Sequence, residues 1–120
     1  MNKSVKEVSG QEFYNQIKAG ITVVDVFATW CGPCQTQLPI MDEFATSAGD
    51  EVSVIKTDID QNGEIAEEFG VMSIPTIVFF KDGKEIKRLQ GIQSEPELQR
   101  AVRAIAACLL YTSPSPRDSI

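Results

Sequence analysis

The sequence predicts an α/β sandwich, a mixed sheet with helices on both faces. Two observations carry that expectation. Apolar runs of strand length alternate with amphipathic stretches of helix length through the first three strands, after which a hairpin and one helix complete the chain. The second run, Ile21 to Phe27, is apolar on both faces, as befits a central strand in a covered sheet.

Each element has a local cause. Val5 to Val8 reads as a short first strand. Ser9-Gly10-Gln11-Glu12 fits a capping box with Ser9 as N-cap, opening a short helix that buries Phe13 and Ile17 and ends at Gly20. Ile21 to Phe27 is rich in β-branched residues and forms the second strand. From Cys34 a second helix carries the stripe Leu38, Met41, Phe44, Ala45 and Ala48, with Pro39 expected to kink it. Gly49-Asp50 closes that helix and Val52 to Thr57 is the third strand. The polar turn Asp58 to Gly63 leads to a helix over about Glu64 to Phe69, with Ile65, Ala66 and Phe69 inward and Gly70 as its stop. Thr76 to Phe80 and Glu85 to Gln90 flank Lys81-Asp82-Gly83-Lys84, an Asp-Gly hairpin. Ser94 and Glu97 form a second capping box, and Leu98, Ala101, Val102 and Ile105 are the buried stripe of the last helix.

Length and composition bound the function. The chain has 120 residues, 42% of them hydrophobic and 23% charged, which suits one ordinary globular domain. A net charge of −6 argues against nucleic acid or anionic lipid as partners. No window reaches membrane-span length, and Met1 to Val8 has no apolar signal core, so a cytoplasmic location is expected. From Cys108 onward the composition changes, with two Ser-Pro steps between Thr112 and Ile120. Residues 1–107 are expected to form the domain and 108–120 a disordered, non-native tail, unless Leu109 extends the helix stripe by a turn.

The chemistry centres on Trp30-Cys31-Gly32-Pro33-Cys34, where the apolar strand gives way to the helix. Cys31 falls at a helix N-terminus, where free N–H groups and the macrodipole favour an anion and so lower a thiol's pKa. Cys34 is one turn on, within reach of the first sulfur, and Pro33 suits the first helical turn. Half a zinc site is one alternative, but the chain has no histidine and only one further cysteine, Cys108. A structural bridge closing so short a loop would stabilise little. In the redox reading Cys31 attacks a target disulfide and Cys34 then displaces the target. Cys108 reads as a small buried or tail thiol. Asp25, placed mid-strand on the face of Val23 and Phe27, should have a raised pKa if buried and could take a proton from Cys34; otherwise it reaches solvent at the strand end.

The run Asp25 to Cys34, followed by Pro39, Ile74-Pro75-Thr76 and Gly91, resembles the thioredoxin family from about Ser4 to Ala107. The resemblance implies a thioredoxin fold with a central five-stranded mixed sheet, four helices, and the hairpin strands antiparallel to the rest. It implies a protein-disulfide reductase with no bound cofactor, recharged from NADPH by a flavin-dependent thioredoxin reductase. Its partners would be that reductase and disulfide-containing client proteins, and the chain would be a monomer. It supports the base role of Asp25, places Lys56 beside that carboxyl, and makes Pro75 a cis-proline facing the cysteines. Trp30, Gly32, Pro33, Ile74, Gly91 and Ile92 would then rim the sulfurs, with Ser73-Ile74 main-chain groups free to pair with an extended client. A disulfide oxidant or isomerase, or a redox-inactive binding module on the same fold, are the alternatives. Gln35, Phe27 and Met72-Ser73 depart from the common pattern, which bears on partner choice and potential rather than on the reaction.

Overall fold

The computed structural model describes residues 5–108. The elements run β1 (Lys6–Glu7), α1 (Gln11–Ile17), β2 (Ile21–Phe27), α2 (Gly32–Ser47), β3 (Val52–Asp58), α3 (Gly63–Glu68), β4 (Thr76–Lys81), β5 (Lys84–Gln90) and α4 (Glu95–Cys108). They form one sheet in the order β1-β3-β2-β4-β5. β3 is parallel to both β1 and β2, β4 runs antiparallel to β2, and β5 antiparallel to β4. Only β4 therefore opposes the first three strands. The expectation that both hairpin strands would do so is corrected, because a tight hairpin reverses the chain and lets only one of its strands run against the rest. At its tip Asp82 and Gly83 have φ of 51° and 87°, the pair of positive values that a two-residue turn between twisted strands requires.

Side-chain alternation splits the core into two layers. On one face Val23, Val54, Ile77 and Phe79 pack with Met41, Phe44 and Ala45 of α2 and Leu98, Val102 and Ile105 of α4. On the other, Val24, Val26, Ile55, Val78 and Phe80 pack with Phe13 and Ile17 of α1 and Ile65 of α3. Phe13 is the hub of the second layer, edge-to-face with Tyr14, Phe69 and Phe80 at 5.1, 5.7 and 6.0 Å. All seven residues of β2 are buried, which makes it the central strand on which the site is built.

Two local expectations change. The N-cap of α1 is Gly10, at φ 56°, with no side-chain cap; Glu12 pairs with Lys6 across 2.5 Å instead of turning back to Ser9. In α2 the polar Gln37 is fully buried, while Leu38 is only half buried. The capping box of α4 forms as expected: the Ser94 N–H donates to Glu97 Oε1 at 2.8 Å, and the Glu97 N–H donates to Ser94 Oγ at 3.3 Å. α4 runs through Cys108, and the expected tail beyond it lies outside the described residues.

Candidate functional site

The site lies where β2 ends and α2 begins. After Phe27 the chain turns through Ala28–Cys31, closed by the Cys31 N–H donating to the Ala28 carbonyl at 3.2 Å. Gln35 Nε2 braces the same turn by donating to the Thr29 carbonyl at 3.0 Å. Cys31 is the N-cap of α2, with extended backbone at φ −87°, and Pro33 occupies the first turn, where a missing N–H costs nothing. The Cys34 N–H points at Cys31 Sγ from 3.2 Å, so one of the helix's free N-terminal donors is already aimed at that sulfur.

Cys31 and Cys34 are joined as a disulfide, their Cα atoms 5.2 Å apart. The two residues differ in exposure: Cys31 is 6% exposed and Cys34 fully buried. Phe27, Ala28, Ile59 and Ile74 pack around the pair.

Asp25 is buried in the middle of β2, two residues before the Phe27 that packs against the disulfide. Neither carboxylate oxygen has a hydrogen-bond partner among the described residues. Burial pushes the Asp25 carboxyl up to about 7, and the positive charge of Lys56 pulls it part of the way back. Lys56 is directly across the ladder on β3, half buried, with Nζ 5.9 Å from the centre of the Phe27 ring.

The rim is assembled from three loops. The Ile74-Pro75 peptide is cis, and Cys31 Sγ lies 3.9 Å from the Ile74 carbonyl oxygen. The Ser73 carbonyl accepts the Thr76 hydroxyl at 2.6 Å, so one of the main-chain groups expected to be free for a client is already engaged. Gly91, at φ 84°, donates its N–H to the Pro75 carbonyl at 2.8 Å and ties the loop after β5 to the proline. Trp30 is 68% exposed, its indole N–H held by Asp60 Oδ2 at 2.8 Å; Met72 and Ile92 are exposed as well, and Gly32 and Pro33 face solvent. Two polar residues at the site escaped sequence reasoning. Asp60 fixes the indole, and Gln37 bonds the main chain of Gln93 beside the rim. For Gln37 the signal was present, since 34, 37, 41 and 45 fall on one helical face.

A disulfide at an anion-favouring helix start, following a strand that carries a buried carboxyl without a hydrogen-bond partner among the described residues, can exchange sulfur for sulfur and move the accompanying proton. A model of the thioredoxin family matches residues 4–104. The chain belongs to the thioredoxin family. Relatives include the thioredoxin of Chlamydia muridarum, 41% identical over 98 residues, spanning 82% of this chain and 95% of that one. The thioredoxin of Staphylococcus saprophyticus is 35% identical over 99 residues, again 82% and 95% of the two chains. The crystal structure of Malassezia sympodialis thioredoxin superposes with a TM-score of 0.77 at 35% identity, covering 87% of this chain and 93% of that one. Like the thioredoxin family, the chain is a thiol–disulfide oxidoreductase that acts on protein disulfides through its Cys31–Cys34 pair.

Proposed function

We propose that the chain is a general protein-disulfide reductase in which Cys31 attacks and Cys34 resolves. The Cys31 thiolate attacks one sulfur of a client disulfide, forming a mixed disulfide and releasing the other client sulfur as a thiolate that takes up a proton. Cys34 passes its proton to Asp25 and attacks Cys31 Sγ. The Cys31–Cys34 bond forms, the mixed disulfide breaks, and the client leaves as a dithiol carrying two electrons. Lys56 moderates the charge that develops on Asp25. Trp30, Gly32, Pro33, Ser73, Ile74, Pro75, Gly91 and Ile92 bind the client segment, chiefly by apolar contact and main-chain pairing, so that affinity is low and client range broad.

Electrons come from NADPH through a flavin-dependent thioredoxin reductase, and the chain itself carries no cofactor. It works as a monomeric electron carrier in the cytoplasm, where glutathione-type reductants keep ordinary thiols reduced. No helix among the described residues is long and apolar enough to cross a membrane, and the acidic net charge of −6 disfavours nucleic acid.

The observation that supports the reading is the difference in exposure within the pair: Cys31 keeps 6% of its surface and Cys34 none. The test is NADPH-driven insulin reduction with a bacterial thioredoxin reductase. The parent chain should turn over, Cys31→Ser should be inert, and Cys34→Ser should stall as a mixed disulfide visible on a non-reducing gel. Turnover by Cys31→Ser near the parent rate would overturn the assignment.

A further inference from the structure

Gln37 is a fully buried amide on α2, one helical turn beyond Cys34. A burial of that kind costs free energy unless every polar atom is satisfied. Here each is: Oε1 accepts the Gln93 N–H at 2.7 Å, and Nε2 donates to the Gln93 carbonyl at 3.0 Å and lies 3.4 Å from Met41 Sδ. The side chain thus pairs with the main chain of Gln93 from both sides, as a neighbouring strand would. What it holds is Gly91–Ser94, a segment with no regular structure of its own. The same segment is tied at Gly91, whose N–H reaches the Pro75 carbonyl, and is braced by Gln93 Nε2, which donates to the Gln90 carbonyl at 2.9 Å. Ile92, 47% exposed, stands between those two ties.

We propose that Gln37 is a positioning residue for client binding: its two-way bond to Gln93 fixes the Gly91–Ile92 rim relative to the helix that carries the cysteines. The inference rests on the reductase reading above and adds the device that pre-orders one wall of the client surface. A rim ordered beforehand spares the client the entropy of ordering it, so the effect belongs to protein clients. A small disulfide that touches only Cys31 has no use for the wall. The clamp works through the loop and does not touch the reacting sulfurs.

The experiment compares parent and Gln37→Met, an apolar side chain of similar length, in two assays: insulin and bis(2-hydroxyethyl) disulfide. Loss of the two-way bond should lower kcat/KM for insulin about tenfold, the scale of one or two net hydrogen bonds. The loss should fall on KM, while the small-disulfide rate stays within about twofold. Equal losses on both substrates, or no loss on insulin, would overturn the proposal. Amide hydrogen exchange on the unaltered chain supplies a check that needs no variant: the Gln93 N–H should exchange slowly, and exchange as fast as an exposed loop amide would also overturn it. Failure of the reductase reading looks different, since the parent chain would then reduce neither substrate.

Discussion

Asp25→Asn isolates the cost of holding a carboxylate inside β2. The carboxyl titrates at 3.8 in its ordinary state and at about 7 in the fold, chiefly because it is buried, with Lys56 opposing. A rise of about three units corresponds to about 4 kcal/mol of destabilisation once the group is ionised. Because the folded value is raised, the penalty is absent below pH 4, grows as pH climbs through the interval from 4 to 7, and is complete above it. An amide in the same place carries no charge but is also left without partners, at about 1–3 kcal/mol. The net expectation is a gain of about 1–3 kcal/mol at pH 8 that turns into a loss of about 1–3 kcal/mol at pH 4, where the parent carboxyl is protonated and only the cost of the unpaired amide remains. Urea unfolding of the oxidised proteins at pH 4, 6 and 8 measures it. A difference between parent and variant that is independent of pH, or a variant less stable at pH 8, would refute the assignment of a buried, unpaired carboxyl. The same variant should slow insulin turnover by about tenfold or more, since the proton of Cys34 loses its acceptor.

Other outcomes follow from the fold. Ser94→Ala should cost about 1 kcal/mol in urea unfolding, through loss of the α4 cap. Glu97 is held below its usual range first by the Ser94 N–H and then by its hydroxyl. Glu97→Gln should therefore destabilise at pH 7 and match the parent once pH falls below the carboxyl's folded value, as paired melts at both pH values would show. Phe13→Ala should cost about 3–5 kcal/mol by emptying the hub of the second layer, with the thiol chemistry of the surviving folded protein unchanged in a small-disulfide assay. Gly83→Ala, at φ 87°, should cost about 1–2 kcal/mol from backbone strain alone, because nothing closer than Lys18 Cα at 3.7 Å meets the new methyl.

Much of this molecule could be read before folding. β2 was legible because a strand buried on both faces leaves an unbroken apolar run, and Asp25 stood out as the one carboxylate inside it. The hairpin was legible because Asp-Gly is suited to paired positive φ values. The cysteine pair was legible because its helix start is written in the residues around it. What escaped depends on contacts distant in sequence. Ser9 has the composition of a cap, yet Gly10 takes the position because its N–H is drawn to Asn62 Oδ1 at 3.1 Å, 52 residues away. Gln37 lies on the buried helical face, but its polarity points to solvent until Gln93, 56 residues on, pairs with it and offsets the cost of its burial. Asp60 similarly has no visible partner until the fold brings Trp30 beside it.

The proposed exchange requires that Cys31, and not Cys34, meets the client as an anion. The direct measurement is alkylation of the fully reduced protein by iodoacetamide as a function of pH, with peptide mapping to locate the label. The expected result is rapid labelling of Cys31 with an apparent pKa below the roughly 8.5 of a free thiol, and Cys34 left unmodified. Labelling of Cys34 first, or of Cys31 no faster than free cysteine, would contradict it.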